Sequence, residues 1–289
     1  MNPYLIQGPA LISFSGGRTS GYMLKHIIDA HGGQLPADVH VAFCNTGLEL
    51  PETLDFVQEC ASRWGVRIVW LEFDPEAEHS TRIVSHNSAS RNGEPFDASI
   101  RTRNMLPNPV MRTCTIDMKV KRLQAYMRKI LGYPQYNSVV GLRHDEQKRV
   151  KRMHARAKSN KDGKGIIPVM PLDEAKVSRW DVVAWWKRQN FDLRLPSING
   201  KTPHGNCSLC FLKAKRTVQG IMREAPALAD WWIGKERTAL LVGATQDPRL
   251  CLFRADRPSY ERMLQQVRDQ GDIEDIGEGE VDDDCACTD

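Results

Sequence analysis

A glycine-rich turn is one of two features in this chain whose residue types and spacing could do chemistry. The turn is SGGRTS, residues 15–20, and it lies between an apolar run and an amphipathic stretch. Glycines let a backbone approach a bound group closely, and hydroxyl side chains add hydrogen-bond donors. If a strand precedes the turn and a helix follows it, backbone N–H groups at the helix start face one point and favour an anion. The turn therefore predicts a phosphate site, although its spacing fits neither a Walker A loop nor G-x-G-x-x-G and ordinary turn formation also explains it.

The second feature is the set of eight cysteines. Cys207 and Cys210 in GNCSLC place two thiolates two residues apart, a spacing that suits one metal centre. Cys114 and Cys251 lie far away along the chain, so a four-thiolate site would bring the middle and the end of the chain together. In a reducing compartment these residues are better explained as metal ligands, reactive thiols or buried fillers than as disulfides. Two others, Cys44 and Cys60, fit apolar positions of a strand and a helix and are predicted to be fillers.

Cys285 and Cys287 lie in DDDCACTD, at the end of an acidic tail. An exposed cysteine pair is a poor filler, so the two residues are candidates for a nucleophile. Acidic neighbours hold back thiolate formation, and a reactive tail would therefore need a basic pocket, for which Arg143 and the following lysines are candidates. The alternative is a mobile tail with incidental cysteines.

Composition limits the classes of protein that the chain can be. Its 289 residues are 41% hydrophobic, enough for a substantial core. No apolar run approaches the roughly 20 residues of a membrane span, and MNPYLIQGP does not resemble a signal peptide, so we expect a cytoplasmic protein without a membrane partner.

Charge is distributed unevenly along the chain. The net charge is +4, yet residues 271–289 hold nine Asp or Glu and no Lys or Arg, so the remainder is strongly basic. Residues 143–165 alone contain nine Lys or Arg against three acids. This balance favours a polyanionic partner or substrate, and the run at 148–164 makes nucleic acid a candidate.

Strand and helix patterns alternate along the first part of the chain. We predict strands at 10–15, 38–46, 66–73 and 137–142, and helices at 21–33, 51–65, 121–132 and 178–190, the last with a Ser178–Asp181 capping box. Residues 74–110 and 143–165 are polar and are predicted to be loops over the carboxyl edge of the sheet. This order predicts an α/β fold, a Rossmann-like parallel sheet flanked by helices, with an irregular cysteine-containing C-terminal region.

Five segments in the same order resemble the phosphoadenosine phosphosulfate (PAPS) reductase family. SGGRTS resembles the pyrophosphate loop (PP-loop) of the adenine nucleotide alpha-hydrolase superfamily, and FCNTGLELPETLDFV resembles the family's "DTG-x-x-x-PET" segment. RTCTIDMKVKRL resembles its "C-x-x-x-x-K" segment, and VVGLRHDEQKR its arginine loop. IPVMPLDEAKVSRWDVVAWW followed by GNCSLC resembles its "PL...W...DVW" helix and Cys-x-x-Cys. In this sequence Thr19 and Asn45 stand where acidic residues are common, and Thr113-Cys114 replaces the tandem cysteines of the iron-sulfur reductases.

The resemblance implies domains and site residues. It implies a nucleotide-binding domain at 1–200, a helical C-terminal region at 201–270 and an acidic tail at 271–289. The implied nucleotide-binding residues are Ser15, Gly16, Gly17, Arg18, Thr19, Ser20, Asn45, Thr46, Gly47, Lys119, Gly141 and Arg143. The implied metal ligands are Cys114, Cys207, Cys210 and Cys251, with a [4Fe-4S] cluster favoured over zinc. The implied catalytic residues are Cys285 and Cys287.

Three functions remain open from the sequence. The first is reduction of PAPS or adenylyl sulfate to sulfite by a tail thiol, with a thioredoxin-like thiol reductant. The second is ATP- and Mg-dependent sulfur transfer to nucleic acid, as in transfer-RNA thiolation or DNA phosphorothioation, with a separate sulfur donor. The third is a nucleotide-binding module without chemistry. The terminal cysteines and the arginine loop favour the first, which makes the chain an oxidoreductase.

Overall fold

The computed structural model describes residues 2–159, 163–242 and 251–269. Within them, six strands form one sheet in the order β4-β3-β2-β1-β5-β6. The strands are β1 (Ala10–Ser13), β2 (Val39–Cys44), β3 (Ile68–Phe73), β4 (Thr81–Val84), β5 (Tyr136–Val139) and β6 (Ile166–Val169). Neighbours run parallel except for β4, which is antiparallel to β3. The predicted parallel α/β sheet is confirmed, with an antiparallel strand added at one edge.

Helices cover both faces of the sheet and build the C-terminal region. They are α1 (Arg18–Ala30), α2 (Pro51–Trp64), α3 (Glu94–Arg103), α4 (Thr113–Thr115), α5 (Lys121–Ala125), α6 (Gln147–Lys158), α7 (Pro171–Glu174), α8 (Arg179–Trp186), α9 (Lys215–Glu224), α10 (Ala229–Val242) and α11 (Tyr260–Asp269). Two π-helical stretches, Ile116–Val120 and Tyr126–Ile130, join α4 and α5 into one helical segment, 113–130. Short 3-10 turns lie at Glu78–Ser80 and Pro226–Leu228. In the described part of the chain, no helix is long and apolar enough to cross a membrane.

Alternate residues of the strands enter two separate cores. Ala10 and Ile12 of β1 pack with α1, α2 and α8 on one face, whereas Leu11 packs with the 113–130 segment on the other. Parallel strands buried on both faces need continuous apolar runs, and this is why ALIS is a recognisable strand. Trp186 is buried in the first core with Trp185 packed against it.

The ends of α2 and α8 follow signals in the sequence. Pro51 opens α2, and Gly65 ends it in the left-handed conformation at φ +61°. Ser178 and Asp181 form the predicted capping box of α8. These are local interactions between close neighbours in sequence, so they can be read without knowledge of the fold.

The two predicted loops contain regular structure, and that part of the prediction was wrong. Residues 74–110 contain β4 and α3, and residues 143–165 contain α6. In α6 only Val150 is buried and most residues are charged or polar, so its few apolar residues did not distinguish it from a polar loop. The helix predicted at 121–132 starts earlier, at Thr113, because the preceding residues continue it through a π-helical turn.

A third apolar core lies under the C-terminal helices. It joins α9, α10 and α11 to Phe96 of α3 and to Cys114 and Met118 of the 113–130 segment. The described part of the C-terminal region is thus helical and shares its core with elements from the first part of the chain. The domain boundary near residue 200 stays a prediction.

Candidate functional site: a cation-lined cavity at the first strand

The SGGRTS turn joins β1 to α1, as predicted, and its own hydroxyls hold its shape. The backbone N–H of Ser15 donates to Ser20 Oγ at 3.2 Å, and Ser20 Oγ donates to the carbonyl of Gly17 at 2.9 Å. Ser15 Oγ lies 3.0 Å from Ser20 Oγ. The two serines therefore close the turn into a ring through their own hydrogen bonds.

The two glycines of the turn have different roles. Gly16 has φ +75°, and a Cβ there would lie 2.8 Å from Thr53 Cγ2, so neither the backbone nor the space admits a side chain. Gly17 has an extended backbone and precedes α1, and a Cβ there would meet only Ser15 Oγ at 3.7 Å. Within the described chain, no side chain caps the N-terminus of α1. Gly17 thus leaves the N-terminal N–H groups of a 13-residue helix open to an anion.

The turn lies at the point where the strand order reverses. Strand β1 pairs with β2 on one side and with β5 on the other, and the segments after β1 and β5 meet at the carboxyl edge. A Cβ on Gly141, after β5, would lie 3.6 Å from Ser20 Cα. Open α/β sheets bind ligands at such a crevice.

A cavity of about 210 Å³, here called cavity 1, opens at this crevice. Basic residues dominate its charged lining, and Glu146 is the one carboxylate among the described residues that line it. The basic lining residues are Arg18, Arg143, Arg149, Arg179, Lys201 and Lys213. Glu146 is buried and pairs with both Arg143 and Arg149. The cavity is therefore built for an anion.

Arg143 is held beside the turn. It donates from Nη1 to Thr19 Oγ1 at 3.1 Å and from Nε to Asp145 Oδ1 at 2.9 Å, and its side chain is 12% exposed. The turn after β5 is thereby tied to the start of α1. Seven predicted nucleotide-binding residues and Arg143 line cavity 1; the seven are Ser15, Gly16, Gly17, Arg18, Thr19, Ser20 and Gly141.

The Arg18 side chain makes structural contacts. Its Nε donates to the Asp192 carboxylate at 2.8 Å, and its Nη2 donates to the carbonyls of Leu193 and Leu195. Nη1 donates to Thr202 Oγ1 at 2.9 Å. Arg18 thus fixes the segment that forms the far wall of cavity 1, and its contribution to the site is this support together with its backbone.

Four predicted nucleotide-binding residues do not line cavity 1: Asn45, Thr46, Gly47 and Lys119. Asn45 is fully buried, and its amide donates to Glu72 Oε1 at 2.6 Å and to the Ser90 carbonyl at 2.8 Å. Thr46 donates to Glu49 and lies 3.3 Å from Cys207 Sγ. The structure places this turn against the cysteine region.

Three of the four predicted metal ligands are buried in the third core: Cys114, Cys207 and Cys210. Cys251 is also buried, but its thiol donates to the Ala239 carbonyl at 3.4 Å. Among residues 2–159, 163–242 and 251–269, no three His, Cys, Asp or Glu side chains form a group that could hold a metal ion. The ligand set of Cys114, Cys207, Cys210 and Cys251 stays a prediction.

The fillers Cys44 and Cys60 are buried as expected. Burial raises the pKa of the Cys44 thiol to about 12 and also raises the pKa of Cys60. Both thiols stay protonated and unreactive at neutral pH. The candidate nucleophiles Cys285 and Cys287 lie outside the described residues.

Sequence reasoning missed two residues that hold the Cys-x-x-Cys turn, Lys213 and Tyr260. Lys213 lines cavity 1, is buried, and donates from Nζ to the carbonyls of Gly205 at 2.7 Å and Cys207 at 2.9 Å. Tyr260 Oη donates to the Leu209 carbonyl at 2.6 Å. The Cys-x-x-Cys turn is therefore held by a lysine from the cavity side and by a tyrosine of α11. Only the closeness of Lys213 to Cys210 in sequence could have indicated this role.

Two known proteins are similar to parts of this chain. The chain is 29% identical over 221 residues to the uncharacterized nin region protein ORF290 of Escherichia phage lambda, an alignment that spans 72% of this chain and 67% of the phage protein. One solved structure that aligns with it is the U34-tRNA thiolase NcsA from Methanococcus maripaludis with its [4Fe-4S] cluster, at 16% identity and a TM-score of 0.41, covering 94% of this chain and 78% of that chain.

Family models give the most direct assignment. The phosphoadenosine phosphosulfate reductase domain matches residues 9–194, well over half of the chain. That span contains the SGGRTS turn and both segments that meet at the crevice. The protein therefore belongs to the phosphoadenosine phosphosulfate reductase family.

Proposed function

We propose that the protein binds a sulfonucleotide, PAPS or adenylyl sulfate, in cavity 1 and reduces it to sulfite with thiols. The observation that carries the proposal is the charge of the cavity. Its lining has six basic residues against one carboxylate, and that carboxylate already pairs with Arg143 and Arg149. A ligand with two or more anionic groups and no metal ion fits this balance better than ATP with Mg²⁺, because Mg²⁺ needs carboxylate or other oxygen ligands.

Two residues of the family segments support the same choice. Thr19 Oγ1 accepts from Arg143, and Asn45 is engaged with Glu72 and Ser90, where the family often has acidic residues. Neither position supplies an ionised oxygen for a metal ion at the phosphates. The backbone N–H groups at the start of α1 and the guanidinium of Arg143 would hold one phosphate of the ligand. Lys213 would neutralise a second anionic group of the same ligand.

The reaction needs two thiols. A thiolate attacks the sulfur of the sulfate group, the S–O bond to the phosphate breaks, and the nucleotide leaves with that oxygen. The product is a thiosulfonate on the first sulfur. A second thiolate attacks that first sulfur, so that a disulfide forms and sulfite leaves, and the two thiols supply the two electrons. Cys285 or Cys287 is the proposed first thiol. A thioredoxin-like protein is the proposed reductant.

The proposal includes a [4Fe-4S] cluster as a group that the protein holds permanently. Cys114, Cys207 and Cys210 share an apolar core and have the soft donors that iron prefers. No step of the reaction above is derived through it. Protein purified without oxygen and assayed for iron and sulfide tests it, with Cys207→Ser expected to lose the metal and Cys60→Ser, an equally buried change outside that core, expected to keep it. Colourless protein without iron would remove the cluster from the proposal.

Two assays run side by side test the reaction. Sulfite release from PAPS and from adenylyl sulfate, with reduced thioredoxin, is expected; pyrophosphate release from ATP and Mg²⁺ is not. Gly17→Val should abolish sulfonucleotide binding, because its side chain would occupy the anion site. Pyrophosphate release without sulfite release would overturn the proposal.

The second candidate is ATP-dependent sulfur transfer to nucleic acid. One observation favours it: α6, which follows the arginine loop, carries six Lys or Arg and no acid in 12 residues. A polyanionic acceptor bound to this helix would lie beside cavity 1. Pyrophosphate release that depends on added RNA or DNA would select this function.

A further inference from the structure

A second cavity, here called cavity 2, lies on the opposite face of the sheet from α1. Its volume is about 280 Å³, and it lies between the 113–130 segment, α6 and the strands β5 and β6. Ser13, at the end of β1, lines both cavities. The other lining residues are Val110, Arg112, Thr115, Ile116, Val120, Leu123, Gln124, Tyr136, Ser138, Val140, Met153, Arg156, Ala157, Ile166 and Pro168.

The walls of cavity 2 suit a flat, partly polar group. Aliphatic side chains and the Tyr136 ring provide apolar surface, while Ser138 and Gln124 add polar atoms. The volume lies just below the roughly 300 Å³ at which pockets for drug-sized ligands begin, and so suits a single nucleobase.

Helix α6 connects the two cavities. Arg149 lines cavity 1, and Met153, Arg156 and Ala157 line cavity 2. Arg149 and Arg156 are seven residues apart, about 10 Å along the helix axis. Lys148, Arg152 and Arg156 follow one another at intervals of four residues, so they form one exposed basic row along α6 that ends at a residue lining cavity 2. A chain of phosphates along this row would therefore pass the mouth of cavity 2.

Apolar side chains are exposed beside the same cavity. Val110 is 90% exposed, and Met111 and Ile116 are about half exposed. Val110 and Ile116 also line cavity 2. Exposed apolar residues grouped at a cavity indicate an interaction surface, and a base turned out of a strand would cover them.

We propose that α6 and cavity 2 bind single-stranded nucleic acid, with phosphates along Lys148, Arg152 and Arg156 and one unstacked base in cavity 2. A single strand is favoured over a duplex because a base can enter the cavity only when it is unpaired. The proposal does not require either reaction in cavity 1. It fails or holds independently of sulfonucleotide binding, which calorimetry with PAPS measures separately.

Fluorescence anisotropy with labelled single strands of about 12 nucleotides, DNA and RNA in separate arms, tests the phosphate contacts. The affinity should fall with salt, with a log–log slope of about −0.7 for each phosphate contact. Lys148→Ala/Arg152→Ala should weaken binding and make that slope shallower by about 1.4, two contacts. Lys187→Ala, an exposed lysine after α8 on the other face, is the matched control and should bind as wild type.

The base pocket is tested by filling it. Ala157→Phe places a ring in cavity 2, whereas Ala155→Phe places the same ring on the exposed side of α6. A strand that contains 2-aminopurine should brighten on binding when that base leaves the stack. We expect Ala157→Phe to lose this fluorescence signal and to bind at least about fivefold more weakly, which corresponds to the lower end of the free energy of one stacked base. Ala155→Phe should keep both the signal and the affinity. Thermal melts of both variants establish that they fold.

Three results would overturn the proposal. Duplex binding as tight as single-strand binding, with no 2-aminopurine signal, would leave only a diffuse basic surface. Equal losses in Ala157→Phe and Ala155→Phe would remove cavity 2 from the site. A loss of PAPS affinity in Ala157→Phe, without change in nucleic-acid affinity, would assign cavity 2 to the nucleotide.

Discussion

Cavity 1 and the cysteine core are the two regions that the sequence marks most clearly, and they are built in opposite ways. Cavity 1 is polar, and hydrogen bonds between neighbours in sequence shape it, as between Ser15, Gly17 and Ser20. The cysteine core is apolar and depends on contacts between distant segments, as when Tyr260 binds the Leu209 carbonyl. A local site can be read from its motif, whereas a site assembled by packing cannot.

Lys213 joins the two regions, and its loss should have the largest effect. Lys213→Met removes a cation from cavity 1 and leaves the carbonyls of Gly205 and Cys207 without their donor. Two charge-assisted bonds contribute about 3 kcal/mol together, so we expect a clear fall in melting temperature and at least tenfold weaker PAPS binding. Calorimetry and thermal unfolding measure both.

Lys213→Gln is the control for this prediction. Its amide can still donate to a carbonyl but carries no charge. It should recover part of the stability and little of the affinity. Equal stability of the Met and Gln variants would show that the hydrogen bonds contribute nothing measurable.

The two glycines separate the shape of the turn from the anion site. Gly16→Ala should destabilise the fold by about 2 kcal/mol, because its φ of +75° and the Thr53 contact both oppose a Cβ. Gly17→Ala has space and an ordinary backbone, so it should keep its stability and lose nucleotide affinity. Chemical denaturation and calorimetry on both variants test this. A stable Gly16→Ala protein would contradict the described turn.

Arg143→Lys sharpens the account of cavity 1. Lysine keeps the charge but cannot bond Thr19 and Asp145 at the same time with a rigid fork. We expect about tenfold weaker sulfonucleotide binding, roughly 1.4 kcal/mol, with unchanged unfolding. Full affinity in the lysine variant would reduce Arg143 to one member of a general basic surface.

Asp117 provides a pH-dependent test of the cysteine side. Burial alone would raise its pKa, but hydrogen bonds from Arg103 and Lys121 outweigh this and lower the pKa below its usual value. A carboxylate with a lowered pKa stabilises the fold at neutral pH, and that contribution is lost as the pH falls through the folded-state value. Asp117→Asn should cost about 1 kcal/mol at pH 7, since both partners are partly exposed.

The cost should shrink in acid. Below the usual carboxyl pKa of 3.8, wild type and Asp117→Asn should approach the same stability. Urea unfolding at pH 7 and at about pH 3 measures the difference. A constant difference across that range would assign the effect to packing. Sulfonucleotide affinity should be unaffected, because Asp117 does not line cavity 1.

Sequence reasoning was accurate where neighbours in the chain decide the structure. The SGGRTS turn, Pro51 at the start of α2 and the Ser178–Asp181 capping box all rest on contacts within a few residues. It failed for α6, in which most residues are charged or polar and only Val150 is buried, so the segment looked like a polar loop. It also failed to foresee that the Asn45 side chain would bond to Glu72 and Ser90, which lie 27 and 45 positions away.

By itself the sequence determined the alternating α/β order, the glycine turn between the first strand and the first helix, and the basic character of the chain, because apolar periodicity, glycine and charge act locally. Tertiary structure alone decided which cations line cavity 1, that Arg18 supports the wall through Asp192, and that Lys213 lies in the same lining as the turn at 15–20. It also decided that three cysteines share one core. These contacts join segments tens to hundreds of residues apart, and their geometry depends on how strands and helices pack, which no local pattern encodes.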